Sequence, residues 1–174
     1  QTDLPAGVIN VIHGRGASVG HQLAGSEKVG MISFTGSVET GKAVMRAASE
    51  HITKPDLELG GKAPAIVTAD ADLDLAAKAV TASRTLNSGQ VCNCAERVYV
   101  DRRVADQFTD KLARTMGASR FGDPLQEPSA DYGPLINEAG YEKVHGMVEA
   151  AQQAGASVVT GGQRGEGTGY YYQP

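Results

Sequence analysis

Short apolar runs alternate with amphipathic stretches along this chain, and that alternation most constrains what it can fold into. Val8-Ile9-Asn10-Val11-Ile12 predicts a strand stopped by Gly14-Arg15-Gly16, and residues 17–24 predict a short helix. Residues 29–34 predict a buried strand closed by Thr35-Gly36-Ser37, with a helix from Val38 to about Glu50. Leu57 and Leu59, then residues 63–68, predict two short extended segments around Gly60-Gly61. Asp70 or Asp72 caps a helix running to about Leu86, with Leu73, Ala76, Val80 and Ser83 on one face. Residues 97–100 predict a strand, and Val104, Phe108, Leu112 and Met116 recur every four residues as on a helix. The three prolines of residues 122–134 predict a loop. Tyr141, Val144, Val148 and Ala151 mark another helix ended by Gly155, and residues 157–160 predict a last strand before Gly161-Gly162. Strands alternating with helices imply crossover units, hence an α/β fold with mostly parallel sheets and flanking helices. Pro55, which lacks an N–H, predicts either a later start to its strand or an edge position.

Composition narrows the function. Lys and Arg number 16 against 20 Asp and Glu, a net charge of −4, which excludes bulk electrostatic binding to nucleic acid or to an anionic membrane surface. No apolar run approaches the roughly 18 residues of a membrane span. Glycine supplies 22 of 174 residues, nearly twice the usual roughly 7%, and falls between the periodic segments as turns do. Two cysteines, Cys92 and Cys94, cannot frame a disulfide-built fold and point to a reducing, cytoplasmic setting or to a thiol with a chemical role. The chain has no initiator Met and stops beside an aromatic run, so an internal piece of a longer protein is expected.

Three places carry candidate chemistry. Cys92, in Asn87-Ser88-Gly89-Gln90-Val91-Cys92-Asn93-Cys94, sits between a predicted helix and a predicted strand. A lone cysteine is more often a small buried hydrophobe, but one near a helix end and free amides can act as a nucleophile. A metal site is disfavoured, because His13, His21, His51 and His145 show no ligand spacing with the thiols. Glu58, in Leu57-Glu58-Leu59-Gly60-Gly61-Lys62, is either the polar face of an alternating strand or a general base. Gly36-Ser37-Val38-Glu39-Thr40-Gly41 follows a strand and opens a helix; Ser37 is an N-cap, and small residues with free amides there suit a phosphate.

Taken together, Phe34-Thr35-Gly36-Ser37 with Gly41, Glu58-Leu59-Gly60-Gly61-Lys62, Gly89-Gln90-Val91-Cys92 and Gly133-Pro134-Leu135-Ile136 resemble the NAD(P)-dependent aldehyde dehydrogenase superfamily. Their order and separations match throughout, including the 34 residues from Glu58 to Cys92. Asn87 to Val100 and the ending Gly169-Tyr170-Tyr171-Tyr172 resemble the bacterial lactaldehyde and glycolaldehyde group most; succinate-semialdehyde members share the Cys-x-Cys.

The resemblance implies a middle third of such a protein, with residues 1–58 ending a Rossmann-like NAD-binding domain and residues 59–174 beginning the catalytic domain. It implies Cys92 as nucleophile and Glu58 as general base. It implies Gly36, Ser37 and Gly41 at the cofactor pyrophosphate, His21 at the adenosine end, Lys143 at a ribose and Leu59 beside the nicotinamide. Asn93 falls next to the substrate. The expected cofactor is NAD, with NADP as the other option; the partners are a small aldehyde and, in the whole protein, copies of itself in a homodimer or homotetramer. Neither nucleic acid nor membrane is an expected partner, and no metal is expected. The upstream asparagine of the oxyanion hole lies outside these residues, so the chain alone is expected to be inactive. A semialdehyde enzyme and a non-catalytic structural relative of the fold are the competing readings.

Overall fold

Alternating apolar residues make Met31–Gly36 (β1) and Lys54–Leu59 (β2) strands with one half-buried face, Ile32 and Phe34 on the first and Leu57 and Leu59 on the second. A computed structural model describes residues 3–174, and they fall into two compact units, one ending at Gly60 and the other running from Gly61 to Pro174. In the first unit β1 and β2 pair in parallel, with Ile32 opposite Pro55, Phe34 opposite Leu57 and Thr35 opposite Glu58. Parallel strands cannot be joined by a tight turn and need a crossover. Val38–Ser49 (α2) is that crossover. Ser37 caps it by accepting from Thr40 N, while Glu39 in its first turn and Arg46 in its last complement the helix dipole. His21–Ala24 (α1), preceded by a π-helical turn at Gly16–Gly20, packs on α2, and Ala24 and Ala48 are buried.

The second unit repeats the plan. Ala63–Val67 (β3) and Ala95–Val100 (β4) pair in parallel, joined through Leu73–Thr85 (α3). Asp72 caps α3, its Oδ1 accepting from Asp74 N and Leu75 N at 3.0 Å each. Ala105–Gly117 (α4) packs on α3, where the Thr81 and Thr115 hydroxyls meet at 2.9 Å. Glu138–Gln153 (α5) starts at Asn137, whose Oδ1 accepts from Gly140 N at 2.9 Å. Val67, Ala77, Val80 and Phe108 form the buried core, with Leu73, Val98, Val100 and Leu112 packed around them.

Two expected strands are absent among the described residues. Residues 8–12 are irregular and exposed, Ile9 at 70% and Val11 at 76%. Residues 157–160 are likewise irregular, with Val159 at 63%. An apolar run becomes a strand only when a neighbouring edge takes its ladder, and β1–β2 and β3–β4 are two-stranded sheets that pair with neither run. Pro55 lies inside β2, one residue after the strand begins at Lys54. Because β2 pairs with β1 alone, the missing N–H is met at an edge, as the sequence allows.

Phe108 is only 1% exposed and sits between β-strand and helix side chains of the core. Phe108→Ala is expected to destabilise the protein by about 3–5 kcal/mol through lost transfer energy and a residual cavity, read as a lowered denaturation midpoint with unchanged m-value.

Candidate active site

The first unit brings Gly36, Ser37 and Leu59, three of the candidate cofactor residues, to one end of its sheet. Because β1 and β2 run in parallel, their C-terminal ends lie together: Gly36 is opposite Leu59 and Thr35 is opposite Glu58. Glu58 alternates with half-buried Leu57 and Leu59, so its carboxylate is on the exposed face. Leu59 lies against the first turn of α2. A Cβ at Gly41 would come within 2.6 Å of Leu59 Cδ2, so a larger residue there would displace the Leu59 side chain. Ser37 Oγ accepts from Thr40 N at 3.2 Å and lies 2.9 Å from Thr40 Oγ1. The amides of Val38 and Glu39, ahead of it in the turn, have no intrahelical acceptor, as in every helical first turn. Glu39, the one acid in that turn, is paired with Lys42 Nζ at 3.0 Å. This arrangement fits a phosphate group: free amides, the positive end of a twelve-residue helix, small residues and a partly neutralised acid. His21 is exposed at the start of α1 in the same unit.

The second unit holds the candidate nucleophile on a strained loop. After α3 the chain makes a single tight turn, Leu86–Gly89, in which Asn87 has φ 48° and Ser88 φ 58°, followed by Gly89 at φ 76°. Left-handed backbone at a non-glycine residue costs of order 1–3 kcal/mol and persists only where its surroundings over-determine it. Here the surroundings are specific. Ser88 Oγ donates to Gly133 O at 2.6 Å, and Gln90 Oε1 accepts from Ile136 N at 2.9 Å. Gln90 Nε2 also donates to Asn87 O at 3.0 Å, closing the turn on itself. Cys92 then stands exposed, whereas Cys94, two residues on, is 2% exposed and part of the packed interior. Ala95 N, opening β4, donates to Ser83 Oγ of α3 at 3.1 Å.

The lead into β3 passes beside this loop. Parallel pairing of β3 with β4 sets Ala63 opposite Ala95, so the residues preceding each strand are neighbours. A Cβ at Gly61 would lie 3.3 Å from Cys92 O, a tighter contact than most side chains accept. Lys62 Nζ bonds Glu96 Oε2 at 2.9 Å, and Arg84 Nη1 lies 3.2 Å from Glu96 Oε1 without hydrogen-bond alignment. Hydrogen bonding from Lys62 holds the Glu96 carboxyl below its ordinary range, against the opposing effect of partial burial, and the Arg84 charge adds to it. A depressed carboxylate stabilises the fold above its ordinary titration range and loses that contribution as the pH falls through the lowered value. Arg97 Nη2 donates to Lys62 O at 2.7 Å, so side chains from α3, β4 and the β3 lead converge around Glu96 and Lys62.

Of the residues singled out in the sequence, Gly36, Ser37, Gly41, His21, Glu58 and Leu59 belong to the first unit. Cys92, Asn93 and Lys143 belong to the second; Asn93 is exposed beside Cys92, and Lys143 is exposed on α5. The roles of Ser88, Glu96 and Arg84 around the loop are new with the structure. Their partners lie 45, 34 and 12 residues away along the chain, and nothing local in the sequence signals such pairings. A cavity of about 620 Å³ in the second unit, between α4 and α5 and lined by Phe108, Leu112, Val144 and Val148, does not include Cys92 in its walls. Among the described residues no cluster of His, Cys, Asp or Glu could hold a metal ion, and no helix is long and apolar enough to cross a membrane.

Parallel strand pairs with helical crossovers, a capped helix start beside a strand end, and a thiol on a strained loop together match a known pattern. The aldehyde dehydrogenase family model matches residues 1–174, and this chain belongs to that family. Over all of its length the chain is 54% identical to a lactaldehyde dehydrogenase of Escherichia coli (strain K12), of which it spans 36%. It is 43% identical to an NADP(+) succinate-semialdehyde dehydrogenase of the same organism, again spanning 36% of that protein. The crystal structure of lactaldehyde dehydrogenase from Escherichia coli superposes with a TM-score of 0.90 at 55% identity, over 92% of this chain and 34% of that one. A betaine aldehyde dehydrogenase of Staphylococcus aureus in complex with NAD+ superposes with a TM-score of 0.89 at 32% identity, over 94% of this chain and 34% of that one. The chain thus has the α/β fold of this family and spans about a third of the length of these relatives.

The contrast in exposure sets the order of reactivity of the two thiols. Iodoacetamide is expected to label Cys92 well before Cys94 in the native protein, read by mass spectrometry of the digested chain; faster labelling of Cys94 would overturn the assignment of Cys92 as the accessible thiol.

Proposed function

We propose that this chain carries the thiol, the base and part of the cofactor site of an enzyme that oxidises a small aldehyde of the lactaldehyde or glycolaldehyde kind to its acid with NAD. The observation that carries the reading is an exposed Cys92 on a strained, tethered loop, in a chain 54% identical to a lactaldehyde dehydrogenase. A strained loop around a core hydrophobe has no purpose, whereas strain that presents a nucleophile does. A semialdehyde as substrate has the weaker support of 43% identity and the shared Cys-x-Cys.

In this reading residues 1–58 end the nucleotide-binding layer and residues 59–174 begin the layer that carries the thiol. Gly36, Ser37 and Gly41 would hold the cofactor phosphates at the start of α2, His21 its adenosine end, Lys143 a ribose, and Leu59 would offer an apolar wall to the nicotinamide. The Cys92 thiolate attacks the carbonyl carbon; the C–S bond forms and the carbonyl electrons move to oxygen. The Cys92 backbone N–H donates to that oxyanion, beside Asn93. A bound NAD would supply the hydride acceptor that takes this adduct to a thioester on Cys92 Sγ. Glu58 removes a proton from water, the resulting hydroxide attacks the thioester, and the thiolate leaves as the acid is released. The whole protein works as a cytoplasmic homo-oligomer in this reading.

Cys92→Ala in the full-length protein is expected to abolish oxidation of short aldehydes while NAD still binds by fluorescence titration; retained activity above a few per cent removes the covalent mechanism and favours a non-catalytic role for the thiol. Glu58→Gln is expected to leave a rapid burst of about one NADH per site and to slow the following steady state by about 10²–10⁴-fold. A panel of lactaldehyde, glycolaldehyde and succinate semialdehyde with NAD and NADP is expected to give the highest kcat/KM for the two hydroxyaldehydes with NAD.

A further inference from the structure

We propose that Ser88 and Gln90 are positioning residues for Cys92, tethering its loop to the segment Gly133–Ile136 so that the thiol is held in one attacking geometry; this rests on the reading of Cys92 as nucleophile. The argument begins with the backbone. Asn87 and Ser88 are both left-handed without being glycine, and they lie five and four residues before Cys92, respectively. A loop of this kind relaxes to ordinary backbone unless something outside it holds the strained form.

Two side chains of the loop reach the same distant segment. Ser88 donates to Gly133 O at 2.6 Å, and the Gln90 amide oxygen accepts from Ile136 N at 2.9 Å. Both partners are backbone groups, which cannot swing away as a side chain could. The segment is itself anchored, because Leu135 is 8% exposed and its N–H donates to Tyr170 O at 2.9 Å. Gln90 adds the internal bond to Asn87 O, so one side chain both closes the turn and fastens it. Beyond Cys92 the chain is fixed again by buried Cys94 and by the bond from Ala95 N to Ser83 Oγ. The exposed thiol is thus suspended between two anchored points, and the upstream anchor is made by Ser88 and Gln90. Neither residue has to touch substrate for this effect; they act through the loop. A misplacement of about 1 Å at a reacting group costs up to about 10²-fold in rate.

The test uses Ser88→Ala, Ser88→Gly and Gln90→Met in the full-length protein, with Cys92→Ala alongside. Steady-state kcat and KM, the pH dependence of iodoacetamide labelling of Cys92, and the thermal midpoint are measured for each. Ser88→Ala and Gln90→Met are expected to lower kcat about 10- to 100-fold, with KM for the aldehyde within about threefold and the thermal midpoint nearly unchanged. The labelling profile of Cys92 shifts with them. Ser88→Gly relieves the left-handed strain but removes the hydroxyl, so it is expected to be as slow as Ser88→Ala. A variant combining Ser88→Ala with Gln90→Met is expected to be no slower than the worse single one, because both tethers hold one loop. Wild-type kcat and labelling in Ser88→Ala and Gln90→Met, recovery in Ser88→Gly, or losses of kcat that merely follow losses of thermal midpoint would each overturn the proposal. Should Ser88→Ala fail to fold, Gln90→Met decides alone. If Cys92→Ala itself stays active, the nucleophile reading has failed; if Cys92→Ala is inactive and the tether variants are normal, only the tethering has.

Discussion

Parallel strand pairing governs both halves of this molecule. Each unit is built on one parallel pair, and a parallel pair requires a crossover that returns the chain to the end where it started. In the first unit this brings the C-terminal ends of β1 and β2 together and so collects Gly36, Ser37, Glu58 and Leu59. In the second it brings the lead-in residues of β3 and β4 together, which sets Gly61 and Lys62 beside Cys92 and Glu96. Residues from distant parts of the chain become neighbours because of ladder direction alone, before any side chain chooses a partner. The chain passes from the one collected end to the other through Gly60, Gly61 and Lys62.

Four short motifs point to the family from sequence, and the structure sorts them into two couples. Phe34 to Gly41 adjoins Glu58-Leu59 through strand register and through Leu59 lying over Gly41. Gly89 to Cys92 adjoins Gly133 to Ile136 through two hydrogen bonds. The first couple is held by backbone pairing and close apolar contact. The second is held by polar side chains that offset backbone strain. The difference suits the chemistry proposed for each: a seat for a large flat ligand tolerates breadth, whereas a nucleophile needs one orientation.

Much of this was legible in the sequence where local physics decides. An acid at 70 or 72 was readable as a cap because a short acid before a helical pattern satisfies free amides, and the structure selects Asp72, whose Oδ1 takes two of them. The four-residue recurrence of Val104, Phe108, Leu112 and Met116 was readable as a helix because that spacing keeps one face apolar, and Phe108 proves to be its most buried point. The strand expected at residues 8–12 failed for a reason the sequence does not carry: β-branched residues favour extension, but a strand also needs an edge to pair with. The loop around Cys92 was legible as a motif and not as a mechanism. Its glycine signalled a sharp turn, yet left-handed backbone at Asn87 and Ser88 has no compositional mark, and bonds spanning 45 and 46 residues leave no periodicity to detect.

The contact between Gly61 and the Cys92 carbonyl has a consequence for how such a protein can diverge. A single methyl added to the glycine would press, at 3.3 Å, on the backbone oxygen of Cys92. A larger residue at position 61 would have to be accommodated by the backbone at position 92, although the two codons stand thirty-one apart. A residue with no side chain of its own thus limits how the backbone of a distant cysteine can shift.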